Sequence, residues 1–445
     1  MNIEVLNTFS DAEAFLYSSL PMFQRQGPAA YKADIGNISR LMETVGNPHS
    51  CGIRMIHIAG TNGKGSVTHL TAAYLQACGY RVGVYTSPHY TDIRERIKIN
   101  GTLIGEDDFV ICLQAFLPFI EEIKPSFFEI ICAMAFLYFR DQQVDFAVIE
   151  TGLGGRLDST NIIFPILSVI TNISPDHQSM LGDTLEKIAY EKAGIIKKNT
   201  PVVIGQKISE TIQVFQDKAA SEDASISFAE DNWQCIYKYN DSHYTHLQIR
   251  DRISNTSATH KTALMGIYQT QNIITFLEIC RQLSLYNNIP FNWEYISIAL
   301  KDIVKLTYYI GRWQIVSQKP LIILESAHNV AGIEAVRKQL SGLEVGQVTI
   351  VFGTVSDKDV VPVLKLLPKK ARYIWTKADI PRAMDEVELS EKAAFIGLAG
   401  MTSPTVKDAL QLALDHTSED DLILVTGSIF VVGDAMTGLK EKGIL

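Results

Sequence analysis

No two cysteines of this chain stand in a C-x-x-C spacing. The six, Cys51, Cys78, Cys112, Cys132, Cys235 and Cys280, are scattered, so neither a zinc cluster nor a disulfide framework is suggested. They read as small apolar fillers in a reducing compartment. No apolar run reaches the length that spans a bilayer. The start, MNIEVLNTFSDAEAF, lacks a basic stretch followed by an apolar one. No signal peptide is therefore expected, and the cytoplasm is the expected location. Positive charge is also short: the net charge is −9 and the isoelectric point about 5.6. That balance gives no general reason to expect nucleic acid or an anionic membrane as partner, but leaves room for a local basic pocket that takes a polyanionic small molecule. Internal repeats and low-complexity linkers are missing as well.

What is there is an ordinary globular composition, 47% hydrophobic and 20% charged over 445 residues. That length exceeds one compact core and predicts two or three domains. Residues 53–58 (IRMIHI) form an apolar run that ends in Ala59-Gly60. A Gly-rich turn, the helix-like SVTHLTAAYLQACG and the strand-like RVGVYTS follow. Strand, helix, strand predicts a βαβ unit and a parallel sheet. FEIICAMAFLYFRDQQ and TLEKIAYEKAGIIK are further helix candidates, and DFAVIETG and ILSVITNIS further strands. Residues 221–262 break the pattern with polar, alternating runs and read as antiparallel strands or an excursion from the sheet. A second series begins near 320, with LIILESA, QVTIVFGT, ARYIWTK and DLILVTGS as strand candidates. The expected fold is α/β: residues 1–305 form an ATP-binding phosphate-loop domain with a mostly parallel, doubly wound sheet, and residues 306–445 a smaller Rossmann-like domain. About 59 residues precede the Gly-rich turn, enough for one or two helices.

The segment AGTNGKGS at 59–66 lies between a strand and a helix. Glycines let the backbone curl so that its N–H groups point at phosphate oxygens, and the following helix adds its positive end. Gly60, Thr61, Asn62, Gly63 and Gly65 would line the phosphates. Lys64 would reach the β and γ phosphates and Ser66 would ligate Mg²⁺. The strict G-x-x-x-x-G-K-[ST] pattern is not met, because residue 58 is Ile and a Gly separates Lys64 from Ser66. A Gly-rich turn without a ligand is the plain alternative, and Lys plus Ser in a strand–helix context weighs against it.

The GTNGKGS variant resembles the Mur ligase superfamily and, within it, the folylpolyglutamate synthase branch. Further blocks follow in that family's order: SPHYTDIRERIKING (87–101), SFFEIICAMAF (126–136), ETGLGGRLDSTN (150–161), ITNISPDHQSMLGDTLEKIAYEKAGIIK (170–197), GRW (311–313), AHNVAGI (327–333), VFGTVSDKD (351–359) and VTGSIFVVGDA (425–435). The resemblance covers nearly the whole chain. It departs at Glu325-Ser326-Ala327-His328-Asn329, where the family has Asp-Gly-Ala-His-Asn, and at Tyr268, where it has His before the Gln and Asn of its ATP contacts.

The resemblance implies ADP-forming ligation of L-glutamate to dihydropteroate, to a folate polyglutamate, or to both, through an acyl phosphate. Carboxylate and γ-phosphoryl are both negative, so the site must supply cations to let them meet. By resemblance, Lys64, His177 and Lys192 act at the reacting groups, with Lys192 carbamylated. Ser66, Glu150 and His177 hold Mg²⁺, two ions being implied. Gln269, Asn272, Arg312, Glu325 and His328 contact ATP, and Ser87, Pro88, His89, Ser126, Phe128, Asp158 and Ser159 face the pterin. Taken alone, Glu150 would be a strand-end carboxylate, His177 a turn residue and Lys192 a solvated helix lysine. One of Phe127 and Phe128 is expected in the core. The expected partners are small molecules alone, and the family-based state is a monomer. Two other readings stay open: another Mur-type ligase, and a non-catalytic ATP-dependent switch.

Overall fold

The computed structural model describes residues 6–23, 27, 34–241 and 243–445. Residues 1–5, the start of the segment read for a signal peptide, lie outside these. Two compact units emerge. Among the described residues the first holds 6–23, 34–89 and 93–309, and the second holds 27, 90–92 and 310–445. The chain passes into the second unit at Tyr309–Ile310.

The first unit is built on an eight-stranded sheet in the order β4-β3-β2-β5-β1-β6-β7-β8. Its strands are β1 (Arg54–Ala59), β2 (Val82–Tyr85), β3 (Ile97–Ile99), β4 (Thr102–Leu103), β5 (Phe146–Glu150), β6 (Leu167–Ile170), β7 (Val202–Ile204) and β8 (Ile226–Phe228). β2, β5, β1, β6, β7 and β8 run parallel. β3 and β4 add an antiparallel edge, so the ERIKING segment, which has no strand assigned in the sequence reading, extends the sheet. β1, β2, β5 and β6 are apolar and buried along nearly their whole length, as parallel strands covered on both faces must be.

One face is covered by the helix Phe127–Asp141 with the N-terminal helices Phe9–Ser19 and Gly36–Thr44. The other is covered by the helices Lys64–Ala77, Gln269–Asn287 and Trp293–Thr307. The helix Lys64–Ala77 is buried from Ser66 through Leu75, so it is a central helix, apolar around its circumference rather than along one stripe. The polar segment after 221 supplies the last sheet strand and then a separate antiparallel sheet of β9 (Trp233–Asn240), β10 (Thr245–Asp251) and β11 (Thr256–Thr262).

The second unit carries a six-stranded sheet in the order β12-β13-β17-β14-β15-β16. These are β12 (Gln314–Gln318), β13 (Leu321–Leu324), β14 (Val348–Phe352), β15 (Arg372–Thr376), β16 (Gly400–Ser403) and β17 (Leu422–Thr426). Four were expected. β12 and β16 were not, because neither reads as an apolar run: β16 is exposed over three of its four residues and β12 over its last. β12 is antiparallel and the rest parallel. Among the described residues no helix is long and apolar enough to cross a membrane.

Candidate active site

In the first unit β5, β1 and β6 are adjacent and parallel. Connections from β1 lead to one side and those from β6 to the other, which makes their carboxyl ends a switch point of the kind that binds ligands in open α/β sheets. Three segments leave this edge: the 60–66 turn after β1, Glu150 at the end of β5 and the 171–177 loop after β6.

The turn is held by its neighbour loop. Asn172 accepts from the Thr61 N–H through its carbonyl (3.0 Å) and from the Asn62 N–H through Oδ1 (2.8 Å). Thr171 donates Oγ1–H to the Asn62 carbonyl (2.6 Å), and Thr61 Oγ1 donates to the Ser174 carbonyl (3.1 Å). Two glycines are required. Gly60 (φ 149°) leaves a Cβ no room, only 1.9 Å from Thr171 Oγ1, and Gly63 (φ 83°) would place one 2.2 Å from Asn272 Oδ1. Gly63 also caps the helix that opens at Lys64, with no side-chain cap bond, so the first helical N–H groups keep their charge for a ligand.

Lys64 folds back, Nζ donating to the carbonyls of Gly60 (3.1 Å) and Thr61 (3.3 Å). Lys192, buried on the helix Leu185–Ala193, donates to the same Gly60 carbonyl at 2.9 Å. Burial, and then the neighbouring Lys64 ammonium, pushes the Lys192 amine down to about 7, while Asp176 and Asp158 pull the other way. A surface lysine would be an inert cation here; this one is poised between amine and ammonium.

Ser66 Oγ lies 2.8 Å from the Tyr309 phenol, which accepts from Gln269 Nε2 (3.0 Å). Asn272 Nδ2 in turn donates to Gln269 Oε1 (2.7 Å). Glu150 is buried, with Oε2 accepting from the Ser87 N–H (3.4 Å) and lying 3.7 Å from where a Gly65 Cβ would stand. Contacts therefore join Lys64 with Lys192, Ser66 with Gln269 and Asn272, and Glu150 with Ser87. His177 sits at φ 51°, its N–H on Asp176 Oδ1 (2.9 Å) and its ring 3.9 Å from that carboxylate. Its link to the others runs through Asp176, whose charge acts on Lys192.

A divalent ion fits this donor set in one particular way. Among the described residues no three His, Cys, Asp or Glu side chains gather into a ready-made cage. What the loop presents is a buried hydroxyl and a buried carboxylate, hard oxygen donors. An ion that keeps several waters and takes phosphate oxygens, as Mg²⁺ does, suits so sparse a set.

The segments around 87–98 and 126–160 have polar groups engaged within the protein. Asp158 Oδ2 accepts from Leu153 N–H (2.8 Å), and Oδ1 accepts from Thr160 N–H (3.0 Å) and Oγ1–H (2.5 Å); burial raises its pKa. Thr160 Oγ1 also meets His57 Nε2 at 2.8 Å. Ser126 caps the helix Phe127–Asp141, and Glu129 returns the bond to form a capping box. Phe127 is the core member of its pair, stacked on Tyr17, whereas half-buried Phe128 lies over Gly152. Ser159, also buried, opens a short turn that Asp158 caps. The Ser87–Pro88 bond is cis. His89 Nδ1 accepts from Arg96 Nε (2.8 Å), and Nε2 lies 3.2 Å from the Tyr17 hydroxyl. Burial, then Arg96, holds His89 neutral.

In the second unit Glu325 Oε2 accepts from the Trp313 N–H (2.9 Å), and Oε1 is 3.9 Å from Arg312 Nη1. Arg312 Nη1 also donates to Ser326 Oγ at 2.5 Å. His328 Nδ1 lies 3.0 Å from the Ser326 carbonyl. The longer acid at 325 thus spends one oxygen on the turn and keeps the other toward the guanidinium.

Tyr309 and Lys98 were missed by sequence reasoning. Lys98 is buried on β3, donating to Thr86 Oγ1 (2.9 Å) and the Glu95 carbonyl (2.5 Å). Burial, opposed by Glu95 and Glu150, brings it down to about 8. A lysine at the middle of an apolar triplet, Ile97-Lys98-Ile99, was the available signal.

Two family models match this chain, the Mur ligase middle domain over 58–279 and the Mur ligase, glutamate ligase domain over 311–429. A dihydrofolate synthase/folylpolyglutamate synthase of Bacillus subtilis is 30% identical over 98% of this chain and 100% of that protein. The chain belongs to the dihydrofolate synthase/folylpolyglutamate synthase family. A solved family member, the folylpolyglutamate synthase of Thermotoga maritima, is 31% identical with a TM-score of 0.81, covering 98% of both chains. The family's bifunctional enzyme from Yersinia pestis, solved with AMPPNP and a Mn ion, is 25% identical with a TM-score of 0.84, covering 99% of this chain and 100% of that one. Membership makes this chain an ATP-dependent, ADP-forming amide ligase.

Proposed function

We propose that this enzyme joins L-glutamate to dihydropteroate, to a folate polyglutamate, or to both, consuming ATP through an acyl phosphate. The observation that carries the reading is the 60–66 turn at the switch point, with two lysine amines on one carbonyl and Ser66 at the helix start. The loop's N–H groups and the helix end bind the triphosphate. Lys64 is within reach of its terminal group on leaving the Gly60 and Thr61 carbonyls. The substrate carboxylate attacks the γ-phosphorus, ADP leaves, and the glutamate amine then displaces phosphate from the acyl carbon. Ser66, Glu150 and His177 would hold Mg²⁺, two ions in this reading, which neutralises the phosphates as the acid approaches.

Lys192 is carbamylated in this reading. Addition of its neutral amine to CO₂ forms an N–C bond and releases a proton. The buried amine near 7 supplies that neutral form at physiological pH, and the resulting anion replaces the repulsion between two ammonium groups on Gly60 with attraction to Lys64. On the folate side Phe128 offers a ring face and Asp158 a carboxylate to the pterin, flanked by Ser87, Pro88, His89, Ser126 and Ser159. Gln269 and Asn272 are nucleotide contacts of the first unit in this reading, and Arg312, Glu325 and His328 are those of the second. A monomer in the cytoplasm completes the reading, and six free cysteines suit that compartment.

ADP release tests it, measured with dihydropteroate and with reduced folate, each with and without glutamate. Turnover that needs both acid and amine is expected with at least one acceptor. Steady ADP release without either would replace the ligase with a nucleotide switch.

A further inference from the structure

The polar groups around Ser66 form a hydrogen-bonded series. Asn272 presents Nδ2 to Gln269 Oε1, and Gln269 Nε2 faces the Tyr309 phenol as donor. The phenol oxygen accepts that bond and lies 2.8 Å from Ser66 Oγ, a contact in which either hydroxyl can donate. All four groups are buried, at 7% exposure for Asn272 and Tyr309, 1% for Gln269 and 4% for Ser66, so water does not readily substitute for a missing member. A serine hydroxyl has one proton and two lone pairs. In either direction the contact with Tyr309 fixes the rotor and leaves at least one lone pair for whatever the loop binds. Tyr309 is itself pinned, its ring edge-on to His69 at 5.2 Å.

We propose that Tyr309 is a positioning residue for the divalent ion: its phenol closes a hydrogen-bonded chain of Asn272, Gln269, Tyr309 and Ser66 that presets the Ser66 hydroxyl as a metal ligand. The chain ties the ion's ligand to two residues read as ATP contacts, so nucleotide and ion each favour the arrangement the other needs. Tyr309 is also the last residue of the first unit before the chain enters the second. The inference rests on the reading of Ser66 as a metal ligand.

The test is Mn²⁺ binding to protein saturated with AMPPNP, read by the resonance spectrum of the ion itself. The proteins compared are the native one, Tyr309→Phe, Ser66→Ala and the double variant. Tyr309→Phe keeps the ring against His69 and is expected to weaken Mn²⁺ about tenfold. Ser66→Ala should weaken it at least as much, and the double variant should be no worse than Ser66→Ala alone, because both changes act through one hydroxyl. Native Mn²⁺ affinity in Tyr309→Phe alongside a weakened Ser66→Ala overturns the role of Tyr309, and so does full additivity in the double variant. Native affinity in Ser66→Ala overturns the metal reading beneath it. Should Tyr309→Phe melt early, a fluorotyrosine at 309 keeps the packing while changing the phenol as a hydrogen-bond partner. It should shift Mn²⁺ affinity, and an unshifted value overturns the proposal equally.

Discussion

The 60–66 turn and the segments 87–98 and 126–160 of the first unit use polar groups in opposite ways. Around the 60–66 turn, backbone and neighbouring loop carry the architecture. Thr61 and Asn62 are bonded through Asn172 and Ser174, and the helix start at Lys64 carries no side-chain cap. Charged side chains there are parked on carbonyls rather than locked in ion pairs, Lys64 and Lys192 sharing Gly60. Around 87–98 and 126–160 the polar side chains are themselves the architecture. Asp158 organises its own turn, Ser126 caps a helix and His89 is pinned between Arg96 and Tyr17. Weakly committed cations suit the release and rebinding of a charged nucleotide that the proposed function asks of the turn, and rigid, internally satisfied groups suit the wall for a flat ligand that it asks of the other segments.

Changes around the 60–66 turn should therefore cost activity, and changes around 87–98 and 126–160 should cost stability first. The largest effect is expected from Gly60→Ala, whose Cβ would stand 1.9 Å from Thr171 Oγ1; calorimetric titration should find no nucleotide binding. Lys64→Ala should fold normally and lose about 10²–10³ in kcat, read by ADP release with both acceptor and glutamate present.

Lys192 gives a pH signature. Its amine is near 7 in the fold against an ordinary 10.5. Between those values the unfolded chain binds the proton that the native chain refuses, so stability in CO₂-free buffer rises with pH across that window and is lowest below it. Denaturant melts should show the rise in the native protein and lose it in Lys192→Met. Activity near pH 6 should fall when CO₂ is stripped and return with bicarbonate.

In the 126–160 segment, Asp158→Asn turns an amide NH₂ toward the Leu153 or Thr160 donors and should cost about 1–3 kcal/mol in unfolding free energy. The smallest effect is expected from Ser126→Ala, about 1 kcal/mol for a lost helix cap, by chemical denaturation. A Ser126→Ala variant that melts like the native protein yet loses folate affinity would break the comparison on that side.

The parallel strands and their helices could be read in the sequence because an apolar run ending in Gly before a helical pattern is a local signal. So could the turn's glycines and Lys64, since they fall within six residues between a strand and a helix. β12 and β16 escaped because edge strands are half exposed and lose the apolar run that marks a buried strand. Lys98 escaped because a lysine inside a strand reads as an error in the pattern until its carbonyl and hydroxyl partners are seen.

By itself the sequence determined the order of βα units, the Gly-rich turn with its lysine, and the family, because each depends on residues close together along the chain. Only the tertiary structure decided that Lys192 sits on Gly60, that Tyr309 reaches Ser66 from 243 positions away, and that Asp158 and Ser126 hold their own turns. Burial, hydrogen-bond direction and the mutual repulsion of two amines are properties of neighbours in space, and no local stretch of residues encodes which distant group will be that neighbour.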